Sequence, residues 1–426
     1  PVRAICFGRH SACDDPGDRR RVTSSNDSLY HIAPETIAVM LNGVNVALGV
    51  SGSIAAVKVV ELAHELRRHG ASVRAVLSPA ATGIVHPWAV DFATDEPVIT
   101  EITGAVEHVE LCGRDGWADV LLLAPATANT VGKIAAAVDD TPVTTCATTA
   151  LGADVPVVVA PAMHEPMYDH PGVLDALSRI ESWGVSLVDP RIDEGKAKIA
   201  TESAIVTDVV RATTPDPLAG AHVVVTAGAT KERLDPIRVL TNRASGKTGR
   251  AVARACYHRG ADVTLVHDGP DVPYADVVAV ETADEMIDAC RSAATSADAL
   301  VSAAAIADFA TDPADEKIRS GEPLSVELWP TPKLLDAVRE DHPSLPLVGF
   351  KAETDGDDAA MVAEAERLRD RVGLAFVVAN DASVMGDDDT RVLIVDDSSK
   401  PEAVDGKKAA VAGRIADRLA ATLEDR

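Results

Sequence analysis

The stretch TNRASGKTGRAVARA (Thr241–Ala255) carries Gly246-Lys247-Thr248, the close of a phosphate-binding loop. A full loop of that kind also needs a glycine where Thr241 stands, and it must leave a strand directly. The strand read at Val223–Ala227 ends well before Gly246. Gly246 and Lys247 are therefore read as opening a helix whose amino end can hold a phosphate or carboxylate. A plain helix start would explain Thr248 but not the whole polar run. A second anion-binding turn is offered by GVSGSIAAVK, where Ser51, Gly52 and Ser53 stand between a strand and a helix. Free N–H groups, the helix dipole and two hydroxyls suit an anion there, although tight packing alone explains many such turns. Ser78 ends the next strand, in LSPAATGIV. Thr127 and Asn129, in APATANTVGKIA, could bond the edge of a flat heterocycle or simply cap a helix. His108, in VEHVEL, reads as one histidine in a short strand; such a group is more often structural, but its imidazole can take a proton near neutral pH.

The elements that must hold these groups alternate along the chain. From Val44 the pattern is strand, loop, helix: VNVALGV, then IAAVKVVELAHELRRHG ending at Gly70, then SVRAVLS, DVLLLAPA and VPVVVAPAM. Near-continuous apolar strands between helices predict a parallel sheet covered on both faces. The Pro-rich ATTPDPLAG (Ala212–Gly220) interrupts the pattern, which restarts with AHVVVTAG and continues through ADVTLVHDG, ADALVSAAA, LPLVGF and LAFVVAND. Two doubly wound, Rossmann-like α/β domains follow, the first of flavodoxin-like type: residues 40–212, a linker at 213–219, and residues 220–426. The polar residues 1–39 read as a disordered extension, and Met40 as a possible start. The tail KPEAVDGKKAAVAGRIADRLAATLE reads as a final helix with a solvated charged face.

Composition narrows the chemistry. Forty basic against 66 acidic residues give a net charge of −26, which disfavours nucleic acid and anionic membranes as partners. Asp-rich runs such as Gly386–Asp389 suggest a surface adapted to high salt. The six cysteines show neither C-x-x-C nor a His pairing at metal spacing, so reduced thiols in the cytoplasm are expected, with no protein-ligated metal.

GVSGSIAAVK, WADVLLLAPATANT and APAMHEPMY, in this order, resemble the flavin-containing cysteine decarboxylase family, most closely the phosphopantothenoylcysteine decarboxylase half of the bifunctional enzyme of coenzyme A biosynthesis. The resemblance spans about Val44–Val210. It implies FMN held around Ser51, Gly52, Ser53, Ser78, Thr127 and Asn129, and it makes His108 the catalytic base. In that family the substrate thiol is oxidised to a thioaldehyde, CO2 is lost, and the electrons return from the flavin. Met163 and His164 fall at the substrate carboxylate, where bacterial members have Asn in place of His164. The bacterial flap cysteine is missing; Lys196 or Lys198 in DEGKAKIA stands as the substitute proton donor. These variants are similar to archaeal forms.

VVVTAGATKERLDPIRVLTNRASGKTG resembles the phosphopantothenate–cysteine ligase half of the same enzyme, and SAAAIADF, EKIR, TPKLL, VGFKAET and VVAND follow in family order. The resemblance implies CTP and Mg2+ as co-substrate and cofactor, with Asp308, Lys317, Pro332, Lys333, Leu334, Leu335 and Phe350 at the nucleotide. Lys317 would stabilise charge at the α-phosphate while Asn242 and Arg238 hold the acyl-cytidylate, beside Ser245, Gly246 and Lys247. AEAERLRDRVG departs from the family's K-x-x-x-K, leaving Arg371 as the nearest cation. The implied function joins cysteine to 4′-phosphopantothenate and decarboxylates the product to 4′-phosphopantetheine, in a trimer-based homo-oligomer that extends to a dodecamer where the second halves pair. The alternatives are a flavin-binding protein with ligase activity only, its decarboxylase half inactive or regulatory, or a flavin prenyltransferase or peptide cysteine decarboxylase, neither of which accounts for the second half.

Overall fold

Alternate residues of each buried strand serve opposite faces, and this organises the first sheet. Its strands are β1 (Asn45–Val50), β2 (Ser72–Leu77), β3 (Val120–Ala126), β4 (Val157–Pro161) and β5 (Ser186–Leu187). They lie in the order β2-β1-β3-β4-β5, with every pairing parallel. Val46, Leu48, Leu122 and Val158 pack with α1 (Val59–Arg68), α2 (Pro87–Thr94) and α7 (Glu202–Thr213). Ala47, Leu121, Leu123 and Val157 face the other way, onto α3 (Glu107–Cys112), α4 (Ala128–Ala135), α5 (Pro142–Gly152) and α6 (Pro171–Glu181). With both faces covered, no polar alternation is required, which is why VLLLAPA is buried end to end. The computed structural model describes residues 40–425 except 194–195, 320, 322–323, 354–356, 382–388 and 399. The expected extension at 1–39 lies outside the described residues.

The second sheet has strands β6 (His222–Thr226), β7 (Asp262–His267), β8 (Asp276–Ala279), β9 (Ala299–Ser302), β10 (Leu347–Glu353), β11 (Phe376–Asp381), β12 (Asp389–Val395) and β13 (Glu402–Lys407). The order is β8-β7-β6-β9-β10-β11-β12-β13. One face carries α8 (Lys247–His258) and α12 (Lys408–Glu424); the other carries α9 (Ala283–Ala293), α10 (Leu334–Asp341) and α11 (Asp358–Val372).

Three expectations need correction. The second sheet is not wholly parallel: β12 and β13 join as antiparallel strands. The tail is not all helix, because Glu402–Lys407 pairs along β12 before α12 begins, with Gly406 at φ 133. VEHVEL is not a strand. Val106 takes φ 53, and the next six residues wind into α3, burying Leu111 and Cys112. Glu107 fixes this entry by accepting from the Thr103 side chain and, at 2.7 Å, from its N–H; these bonds hold its carboxyl below the usual range.

The two sheets meet through α7 and α8. Arg211 donates to the carbonyls of Tyr257 (3.0 Å), Gly260 (2.9 Å) and Ala261 (2.8 Å), and its guanidinium lies 4.3 Å from the Tyr257 ring centre. A cation thus satisfies the carboxyl end of α8, where the helix dipole favours positive charge. Tyr257 in turn donates to Asp208 at 2.5 Å. Among the described residues no helix is long and apolar enough to cross a membrane.

Candidate functional site

The strand order of the first sheet reverses between β1 and β3, so the loops leaving them splay and open a crevice at the carboxyl edge. Ser51, Ser53, Ser78 and Thr127 all stand on this edge. Their hydroxyls are not equivalent. Ser51 is 2% exposed; it donates to Pro125 O at 2.7 Å and accepts from Thr127 N at 3.0 Å, so it braces the two loops. Ser53 donates to Ala162 O at 3.3 Å and caps the 3-10 turn Ile54–Lys58. Ser78 and Thr127 accept from the N–H groups of Ala81 and Thr130, the usual bond of a helix N-cap. Gly52 is required by proximity, because a Cβ there would lie 2.4 Å from Ala80 Cβ. Asn129 is exposed in the first turn of α4.

His108 sits on α3 with Nδ1 buried and without a hydrogen-bond partner. A buried polar atom left unpaired is costly, so it points to a ligand or proton that would satisfy it. The residues read as a substrate flap come together on a three-stranded ribbon. Met163–His164 pairs with Lys196–Lys198, which pairs with Arg191–Asp193, and His164 stands opposite Lys196. The ribbon leaves β4 beside the crevice, where Ala162 N donates to Ala126 O at 2.9 Å. Lys198 is half-buried, whereas the side chain of Lys196 lies outside the described residues.

In the second half a cavity of about 470 Å³ gathers Asn242, Ser245, Gly246, Lys247, Asp308 and Phe350. Gly246, at φ 72, is the N-cap of α8, and a Cβ there would lie 2.8 Å from Gly228 N. Fully buried Thr226 accepts from Ala303 N (3.1 Å) and Ala304 N (3.0 Å), fixing the opposite wall. Asn242 donates to Ala305 O at 3.2 Å, which holds its amide at the cavity rim. Asp308 pairs with Lys333.

Other candidates lie elsewhere. Arg238 is occupied, donating to Asp235 at 2.7 Å and Ile318 O at 2.8 Å. Asp235 is buried, which by itself raises its pKa, but the N–H groups of Ile237, Arg238 and Ile318, with the Arg238 charge, bring it below the carboxylate range. Together they anchor the segment bearing Lys317, which is exposed and does not line the cavity. Pro332 is exposed, while Leu334 and Leu335 point into the core. Arg371 is bound by both oxygens of Asp336 at 2.7 Å, on the helix surface. Sequence reasoning overlooked Arg243, Lys351, Asn380, Thr390 and Lys408, which do line the cavity. Lys351 lies inside the quoted VGFKAET, but a lysine within an apolar strand gives no sign of which way it faces.

Residues 218–423 match the family described as DNA/pantothenate metabolism flavoprotein C-terminal domain, and residues 35–214 the family described as Flavoprotein. The chain is 48% identical over 361 residues to the coenzyme A biosynthesis bifunctional protein CoaBC of Thermococcus kodakarensis, spanning 83% of this chain and 89% of that one. It is 32% identical over 390 residues to the protein of the same name from Methanocaldococcus jannaschii, spanning 90% and 95%. The crystal structure of the C-terminal domain of a CoaBC protein aligns with TM-score 0.42 and 28% identity, over 50% of this chain and all of that one.

Proposed function

This chain belongs to the family of bifunctional coenzyme A biosynthesis proteins, and from that premise we propose that it makes 4′-phosphopantetheine from 4′-phosphopantothenate, cysteine and CTP. It is an enzyme of coenzyme A biosynthesis with ligase and decarboxylase activities. We assign decarboxylation to residues 40–212 and ligation to 220–426, with 213–219 as linker.

In the ligase half, the pantothenate carboxylate attacks the α-phosphorus of CTP, pyrophosphate leaves, and the cysteine amine displaces CMP from the acyl carbon. Asn242 holds the acid, the amino end of α8 stabilises negative charge, and Phe350 flanks the base. Lys317, exposed on its anchored segment outside the cavity lining, is assigned as the cation that meets the α-phosphate once the nucleotide is bound. Mg2+ travels with the nucleotide phosphates in this reading.

The first crevice fits FMN: hydroxyls of Ser53, Ser78 and Thr127 stand at three adjoining strand ends, with the Asn129 amide beside them and the unpartnered His108 Nδ1 on α3. Bound FMN would supply a two-electron acceptor for the substrate thiol and return the electrons afterwards, so the net change is loss of CO2. His108 accepts a proton from the substrate. His164 and Lys198, on the ribbon, flank the departing carboxylate, and Lys198 or Lys196 returns a proton. Exposed Ile54, Trp88, Phe92 and Val109 in this half support burial against further copies, in a trimer-based assembly.

The observation that carries the proposal is the pairing of an orphaned histidine nitrogen in one half with a cavity holding the ligase motif in the other. Purified protein incubated with phosphopantothenate, cysteine, CTP and Mg2+ should form 4′-phosphopantetheine. His108→Asn should halt at phosphopantothenoylcysteine. Accumulation of that intermediate by the unaltered protein would refute the decarboxylase assignment and leave a ligase with a silent flavin half.

A further inference from the structure

In a chain with net charge −26, the ligase cavity is lined by four basic side chains, Arg243, Lys247, Lys351 and Lys408, and one acidic side chain, Asp308. They reach it from separate elements. Arg243 and Lys247 flank the start of α8, Lys351 comes from β10, and Lys408 is the first residue of α12. α12 has no acidic residue in its first turn, and a lysine at that end opposes the helix dipole. An anion seated there would reverse that penalty. Arg371, the cation the sequence suggested for the nucleotide phosphates, is held by Asp336 outside this cavity.

We propose that Lys351 and Lys408 bind the β- and γ-phosphates of the nucleotide, taking the place of cations on α11. This rests on the ligase reading above. Phe350, Lys351 and Lys408 all line this one cavity, so a base against Phe350 leaves its phosphates in the space the two lysines border. The 4′-phosphate of phosphopantothenate is the competing phosphate. The acid it belongs to is assigned to Asn242, whose amide donates to Ala305 O and Ile306 O.

The test measures CTP, CDP and CMP binding by calorimetry, and ligase KM for each substrate, in the full-length protein. Lys351→Gln and Lys408→Gln should each weaken CTP binding and raise its KM about ten- to a hundredfold, the effect of losing one charge-assisted bond to a phosphate. CMP affinity and the KM for phosphopantothenate should stay within about twofold. Lys351→Arg should recover most of the loss, which excludes misfolding, and Arg371→Gln should change nothing. Unaltered CTP binding in both Gln variants would overturn the proposal while the ligase reading stood. A rise in KM for phosphopantothenate instead would assign the lysines to the other phosphate and overturn it as well. Failure of the unaltered protein to bind any nucleotide would remove the ligase reading and this proposal together.

Discussion

Replacing Gly249 by Ala sets two effects of known size against each other. In an open helix the change gains about 1 kcal/mol, because alanine loses less backbone entropy. Here the new Cβ would lie 2.6 Å from Ala227 Cβ and 2.7 Å from Thr226 O, where ordinary contact begins at 3.4 Å. Neither neighbour is the end of a flexible side chain, so α8 must retreat from β6 by close to 1 Å. Overpacking of that kind costs about 1–3 kcal/mol, and the net result should be a loss of about 1 kcal/mol. The larger consequence is positional. The N-cap Gly246 and Lys247 lie within the same first turn, and a shift of about 1 Å at reacting groups costs on the order of a hundredfold in rate. Ligase kcat/KM, followed by pyrophosphate release, should fall ten- to a hundredfold. Decarboxylation of supplied phosphopantothenoylcysteine should be unaffected. Gly132→Ala is the control: a Cβ there meets nothing within 4 Å, so that variant should gain stability and keep its kinetics. A Gly249→Ala protein as stable as the parent, with unaltered ligase activity, would refute the reasoning.

The junction between the sheets should titrate. Burial, only partly offset by Tyr257 and Arg211, holds the Asp208 carboxyl up at about 6 against an ordinary 3.8. The folded state therefore binds its proton more tightly than the unfolded state, and stability falls as pH rises from about 4 to 6. Asp208→Asn, which keeps an acceptor for the Tyr257 hydroxyl, should be stabilised by about 2 kcal/mol over the parent at pH 8 and by nothing near pH 4, as read from urea unfolding. His258 behaves oppositely: burial, then Arg254 and Arg259, lower it from 6.5 to about 3. Its contribution is complete above 6.5 and is lost as pH falls toward 3. His258→Leu should match the parent at pH 7.5 and exceed it by about 2–3 kcal/mol at pH 4.5; a difference that does not vary with pH would contradict the assignment.

The parallel core was legible because strands covered on both faces must be apolar at every position, and DVLLLAPA or AHVVVTAG admit little else. The antiparallel close of the second sheet was not, since Glu402–Lys407 alternates weakly and runs straight into a helix. VEHVEL misled for another reason: with apolar residues at 106, 109 and 111, six residues fit either period. Within the sites, the motif around Gly246 and Asn242 was readable. The engagement of Arg371 was not, because its ion-pair partner Asp336 is 35 residues away and is brought to it by the fold; that of Arg238 with Asp235, three residues before it, is local, but its bond to Ile318 O is not. The same holds for Lys351 and Lys408, which converge on one cavity from elements far apart in the chain.

The Arg211 clamp bears on how far the halves can be treated as modules. By sequence this residue belongs to the last helix of the flavoprotein half, yet the carbonyls it satisfies close the helix that begins at the ligase cavity. A chain severed in the linker would return those three carbonyls to water and strip the cation from that helix end. The fusion is therefore more than a tether that keeps two catalysts near each other: one half of the chain completes the folded surface of the other.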